Sequence, residues 1–174
     1  SDQVVADQLT AALSAIKNYD AVTHANPTPT EDTYTNAGIS GVTSATVAAI
    51  NTAVDAISST ADKDSVSEIQ TVVDLYTSVL SGADGNAGNN NVTLTPSQYS
   101  TLGLTAIDSA VEAALLNDVI DASASTAVDT FAELSSLATT VSEIFAVAAG
   151  QSVIPSPSVS ELTALGLAGV TSAN

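Results

Sequence analysis

The sequence predicts an all-α fold: tandem three-helix repeat units of about 65 residues, stacked in an array. Three observations predict it. The chain overlays on itself at that offset, the signature of a repeat architecture. Apolar residues recur three and four apart, not at alternate positions, which is the period of a helix stripe. Capping residues, Pro and Gly fall at corresponding places at the ends of these stretches.

The overlay is direct. SVSEIQTVVDLYTSVLSGADG (65–85) lies on TFAELSSLATTVSEIFAVAAG (130–150) without a gap, pairing Glu68 with Glu133, Val72 with Leu137 and Gly85 with Gly150. Upstream, YTNAGISGVTSATVAAINTAV (34–54) lies on YSTLGLTAIDSAVEAALLNDV (99–119), again read without a gap. A third copy opens at LTALGLAGVTSAN (162–174), and Leu9, Leu13 and Ile16 match Val72, Tyr76 and Val79 of the long helical stretch. The organisation read from this is 1–29 as the end of a preceding repeat, 30–94 as repeat unit 1, 95–157 as repeat unit 2 and 158–174 as the start of a further repeat.

Each unit carries a long, a middle and a short helix. The long helix has the stripe Ile69, Val72, Tyr76, Val79 and Ala83, repeated as Leu134, Leu137, Val141, Ile144 and Ala148. It opens on Ser65-x-x-Glu68 and Thr130-x-x-Glu133, a capping box in which the hydroxyl accepts a backbone N–H and the carboxylate reaches back to another. It is expected to close at Gly85 and Gly150. The middle helix is expected to start at about Thr43 and Asp108, both good N-caps, with Val47, Ile50, Val54 and Ile57 inward. The short helix starts at Thr95-Pro96-Ser97-Gln98 and at Ser158-x-x-Glu161, where Pro96 sits at the first helical position and loses no needed N–H. It ends three times alike, at Ala37-Gly38-Ile39, Leu102-Gly103-Leu104 and Leu165-Gly166-Leu167. Glycine past the helix end folds the next apolar residue back, pairing Tyr34 with Ile39, Tyr99 with Leu104 and Leu162 with Leu167. The connectors 24–32, 86–96 and 151–158 are rich in Asn, Pro, Ser and Gly and too short for flexible linkers, so successive repeats are expected to touch.

Composition excludes several functions. Nineteen acids against two bases give a net charge of −17, which rules out nucleic-acid binding through phosphates and disfavours an anionic membrane surface. No apolar run approaches the roughly 18–20 residues of a spanning helix, so no membrane insertion is expected. The first 20 residues carry acids and no basic region, unlike a signal peptide, and suggest a mature or excised segment. With no Cys, no Met, no Trp and one His, most catalytic and metal-binding chemistry is missing.

The remaining candidates each have a simpler explanation. His24 lies in a connector with no partner at metal or catalytic spacing. Asp84 and Asn86 open a stretch with a faint calcium-loop look, but its fifth and twelfth positions are Gly88 and Thr95 where acids are wanted. Glu68 and Glu133 are explained by their boxes and not by paired acid–base catalysis. Tyr34, Tyr76 and Tyr99 lie on apolar stripes, and Asn91-Val92-Thr93 fits a glycosylation pattern too short to weigh. No catalytic residue and no cofactor is assigned.

The pattern Tyr-x-x-Ala/Leu-Gly-Ile/Leu, then Val-Ala-Ala-Ile-Asn-Thr-Ala-Val, then Glu-Ile-Gln-x-Val-Val-Asp-x-Tyr resembles the tandem helical repeats of giant secreted bacterial surface proteins, which are adhesin-like. The resemblance spans nearly the whole chain and implies a stalk or scaffold outside the cell, with no defined site to carry over. The expected function is therefore a non-enzymatic structural module of an extracellular bacterial surface protein, as adhesin stalk or filament or lattice subunit. The alternative is a protein-binding three-helix module that presents one face to a host or matrix protein. The expected partners are neighbouring repeats or identical subunits, head-to-tail, because Leu9, Leu13 and Ile16 and the segment 158–174 each lack a full set of helices within the sequence.

Overall fold

The computed structural model describes residues 2–24 and 26–171. Eight α-helices follow in order: α1 (Asp2–Lys17), α2 (Glu31–Asn36), α3 (Val47–Ala56), α4 (Val66–Gly82), α5 (Pro96–Thr101), α6 (Ala110–Ala122), α7 (Phe131–Ala148) and α8 (Val159–Ala164). Short 3-10 turns at Thr60–Lys63 and Ser125–Ala127 lead into α4 and α7. Among the described residues no strand forms, and Asp84 and Ala124 make one isolated antiparallel bridge. The all-α expectation holds. The chain divides into two compact units, residues 1–78 and 79–174, a division that falls within α4.

The caps explain where the helices begin. Six of them open on a residue whose hydroxyl accepts the N–H three positions on, while the side chain at that position accepts back from the cap. Ser65–Glu68, Thr95–Gln98, Thr130–Glu133 and Ser158–Glu161 are the expected pairs; Thr30–Thr33 and Ser109–Glu112 are additional ones. The middle helices start later than expected. In α6 the cap is Ser109 and not Asp108, because only Ser109 places Glu112 at the returning position. In α3 the helix starts after Thr46, since Thr43 and its neighbours form a turn first, with the Val47 N–H donating to the Thr43 carbonyl at 2.8 Å.

The short helices end as predicted. The N–H groups of Ile39, Leu104 and Leu167 donate to the carbonyls of Tyr34, Tyr99 and Leu162 at 3.0, 2.9 and 3.2 Å. At Gly103 the backbone has φ +88°, a conformation a side chain would strain, and an added Cβ would also lie 3.7 Å from the Phe131 ring. The long helices end differently from each other. α7 closes at Gly150 as expected, with Gln151 N–H on the Ala146 carbonyl at 2.9 Å. α4 stops at Gly82, three residues before the expected Gly85. Its side of the chain turns at once: Asp84 N–H returns to the Gly82 carbonyl at 2.8 Å, and Gly85 N–H donates to the Ser123 carbonyl at 2.9 Å. Gly82 is needed where it stands, because a Cβ there would overlap the Val92 side chain.

Each unit has its own core. In residues 1–78, α1 packs on α2 and α3, and Ile16, Tyr34, Ile50, Ile69 and Tyr76 are wholly buried. The stripe of α1 is thus partly covered: Ile16 is inside, Leu13 half-buried and Leu9 exposed. In residues 79–174, α6 packs on α5 and α7, and α8 packs on α7, around Tyr99, Leu102, Leu116, Ile120, Leu134 and Val141. α7 is 18 residues long with a mean hydropathy of 1.2, long and apolar enough by those two measures to cross a bilayer, although Glu133, Glu143 and several Ser and Thr residues interrupt it. Alanine, leucine, valine, phenylalanine and isoleucine supply that apolarity, and Leu134, Leu137, Ala138 and Val141 are buried in the unit's core.

One buried polar arrangement occurs in both units. The Tyr34 hydroxyl donates to Asn51 Oδ1 at 2.8 Å, and Asn51 Nδ2 donates to the Pro29 carbonyl at 2.9 Å. The Tyr99 hydroxyl donates to Asn117 Oδ1 at 2.7 Å, and Asn117 Nδ2 to the Leu94 carbonyl at 3.0 Å, while Leu94 N–H donates to the same Asn117 oxygen at 3.1 Å. In each unit a tyrosine of the short helix and an asparagine of the middle helix tie down the strand-like residue ahead of the short helix. The gapless overlay is corrected here. It placed Asn51 on Leu116, whereas the shared bonds equate Asn51 with Asn117, so the second copy has one more residue before its middle helix. The reason is chemical: a buried phenol and a buried carbonyl need an amide at that place more than the sequence needs an unbroken count.

The third-copy residues Thr171-Ser172-Ala173-Asn174, expected to open another middle helix, lie outside the described residues beyond Thr171.

Candidate functional site

Residues singled out in the sequence do not converge. His24 is exposed on the connector after α1, with φ 52° and its N–H on the Asp20 carbonyl at 3.1 Å. Glu68 and Glu133 sit at the starts of α4 and α7, each engaged by its own capping hydroxyl and N–H. The Ser65 hydroxyl and N–H hold the Glu68 carboxyl below the usual glutamate range. Tyr34, Tyr76 and Tyr99 are fully buried, and burial pushes the phenols of Tyr34 and Tyr99 far above the ordinary tyrosine range.

Asp84 and Asn86, the weak calcium candidates, form an amide-filled turn. Asp84 Oδ1 accepts the Asn86 N–H at 2.9 Å, and Oδ2 accepts Asn89 Nδ2 at 2.7 Å and Asn91 Nδ2 at 3.0 Å. Asn86 Oδ1 faces the Gly88 N–H at 3.3 Å. Oxygens committed to N–H donors in this way are not preset for a cation. Among the described residues no three His, Cys, Asp or Glu side chains come together to hold a metal. Asp121 completes this connector. Its carboxylate, 1% exposed, accepts the N–H groups of Asn90 and Asn91 at 3.1 and 2.9 Å, and Val92 is buried. The connector after α4 is sealed onto α6.

The connector after α1 is built otherwise. Asp55 stands where Asp121 stands in the second unit, counting from the paired asparagines Asn51 and Asn117. Asp55 is half-buried and lines an open cleft of about 540 Å³ together with Lys17, Tyr19, Asp20, Asn26 and Lys63. The chain has two basic residues, and both are here. So is the tyrosine that is not one of the three buried ones.

Three of the lining side chains are bonded to backbone. Lys63 ends the 3-10 turn ahead of α4, and its Nζ donates to the Val54 carbonyl at 3.0 Å near the C-terminus of α3, where a cation is favoured. Lys63 is 5% exposed, and burial holds its ammonium below the ordinary lysine range, with Asp55 and then Asp20 pulling the other way. Asp20 Oδ1 accepts the N–H groups of Val22 and Thr23 at 2.8 and 2.9 Å, an Asx turn that lowers its carboxyl chiefly through Thr23. Asn26 Nδ2 donates to the Asn18 carbonyl at 2.7 Å.

Sequence reasoning passed over this cleft because none of its residues forms a motif. One signal was present: Lys63 aligns with Val128, a fully buried aliphatic residue, so a charged group occupies a place the scaffold fills with valine. No protein-family model, no curated protein and no solved structure matches the chain.

Proposed function

We propose that the chain is a non-enzymatic structural module of an extracellular bacterial surface protein, built of stacked three-helix repeat units of about 65 residues that continue into neighbouring repeats or identical subunits. The observation that carries the reading is the recurrence of the tyrosine–asparagine–carbonyl staple, Tyr34–Asn51–Pro29 and Tyr99–Asn117–Leu94, in two sequence copies. Conserving a buried network inside one chain is what a repeat needs, since each unit of small side chains is marginal alone and gains from its neighbours. The packing of the long helices supports the same reading: α1 packs on the short helix that follows it, α2, and α7 on α8. α7, packed on α6 before it and on α8 after it, serves two successive repeats, which is how an array propagates. The lysine-poor composition and the Thr-, Ser- and Asn-rich connectors suit an extracellular setting.

Electron microscopy of the native material tests this. The reading expects a fibre, stalk or lattice with a regular axial repeat, and a discrete closed particle would overturn it.

A further inference from the structure

We propose that the cleft between the connector after α1 and the end of α3, walled by Lys17, Tyr19, Asp20, Asn26, Asp55 and Lys63, is a saccharide-binding site that takes a sugar ring by its hydroxyls. The second unit closes the corresponding connector with Asp121 on the Asn90 and Asn91 N–H groups and places Val128 where the first unit has Lys63. The first unit departs from that solution at both places and leaves an open cleft. Lys63, 5% exposed with its Nζ on the Val54 carbonyl, brings a charged group to a place that the second unit fills with an aliphatic one, and so gives this cleft a polar wall that the second unit lacks.

The lining selects the ligand class. Two ammonium groups and two carboxylates make the cleft neutral overall, in a chain whose charge is −17. An anion such as phosphate would face Asp20 and Asp55, and a polyamine would face Lys17 and Lys63. An apolar ligand would strip water from four charges without replacing it. A polyol meets none of these penalties. Each sugar hydroxyl both donates and accepts, matching the mixed carboxylates, ammonium groups and Asn26 amide that line the cleft. Tyr19, half-buried in the same wall, offers a ring against which the C–H face of a sugar can lie. The volume, about 540 Å³, falls within the usual range of small-ligand sites. Asp20, Asn26 and Lys63 are already fixed by the backbone bonds described above, so little side-chain freedom is lost on binding.

The test is a titration of the isotopically labelled full chain with glucose, galactose, N-acetylglucosamine and glucuronate, followed by amide chemical shifts. At least one of the four should move the amides of 17–26 and 55–63 and leave those of 84–91 in place. Lys63→Val and Tyr19→Ala should each weaken that binding by about tenfold or more. Lys63→Val installs the residue the second unit already carries there, so it should stay folded. Lys17→Ala, a change on a half-buried rim, provides a second variant that should also weaken binding. The proposal is overturned if none of the four sugars moves these amides, if the shifts spread evenly over both connectors, or if all three variants bind as the parent does.

Discussion

The connectors that follow α1 and α4 leave helices of one kind and lead to short helices of one kind, yet they are finished in opposite ways. After α4 the backbone is fastened: Asp121 takes the N–H groups of Asn90 and Asn91, Gly85 bonds to Ser123, and Val92 fills the space left by Gly82. After α1 the connector folds on itself through Asp20 and Asn26, and Asp55 lines a cleft with Lys17 and Lys63 instead of capping backbone. The difference teaches that the tyrosine–asparagine staple suffices to set the helices, because both units keep it. The connector is then free to be sealed or left open.

The largest expected effect tests the staple itself. Asn117→Leu would orphan the Tyr99 hydroxyl and both the N–H and carbonyl of Leu94, and should cost roughly 2–5 kcal/mol in a urea melt. Asn51→Leu leaves one group fewer unsatisfied and should cost less. If Leu116→Asn restored the Asn117→Leu variant, the gapless register would be right and the one-residue slip wrong.

Gly82→Ala sharpens the contrast at the end of α4. Helix propensity alone favours alanine by about 1 kcal/mol. The overlap with Val92 should reverse that sign and destabilise by roughly 1–3 kcal/mol. A stabilised Gly82→Ala variant would show that the connector is not packed against the helix.

Caps come next. Thr130→Ala or Glu133→Ala should lower stability by about 0.5–2 kcal/mol, since each breaks a reciprocal pair. Asp55→Asn, which touches the open cleft and no cap, should cost less than either, as read from chemical-denaturation midpoints.

The smallest effect is in pH. The Ser65 hydroxyl and N–H lower the Glu68 carboxyl, and those of Ser158 lower that of Glu161. At Glu112 burial pushes upward, but the Ser109 hydroxyl and N–H and the Asp108 N–H outweigh it and leave the carboxyl lowered. A carboxyl with a depressed folded value contributes stability that is present above its unfolded value of about 4.3 and is lost as pH falls through the folded one. Stability should therefore decline below about pH 4, and Glu68→Gln should flatten that decline slightly. Asp129 works against the trend, since its carboxyl is raised by its hydrogen bond to Glu133. An acid melt identical for parent and Glu68→Gln would remove the box from the account.

The helices were legible in the sequence because their signals are local. Ser65-x-x-Glu68 and Leu102-Gly103-Leu104 each define a helix end within a few residues, and the structure places both as expected. What was not legible depends on distant groups. Gly82, the last residue of α4, must lack a side chain because of Val92, ten positions on, and Gly85 takes the expected left-handed backbone, φ +76°, but three residues past the helix, where its N–H goes to the Ser123 carbonyl. Asn51 and Asn117 are polar residues inside apolar stripes, a sign that a buried partner is required, but the partner is a tyrosine in another helix. The Lys17–Lys63 cleft had no motif at all. Its one trace in the sequence is Lys63 at the position that aligns with Val128, which gains meaning only once Val128 is seen to be buried.

The sealed and open connectors can be told apart most directly by native-state hydrogen exchange on the intact chain. The account predicts that the amides of Gly85, Asn90 and Asn91 exchange slowly, through opening of the second unit's helices, because Ser123 and Asp121 hold them. The amides of Asn26 and Thr28 should exchange quickly. Equal protection in the two connectors, or faster exchange at Asn90 and Asn91 than at Asn26, would contradict it.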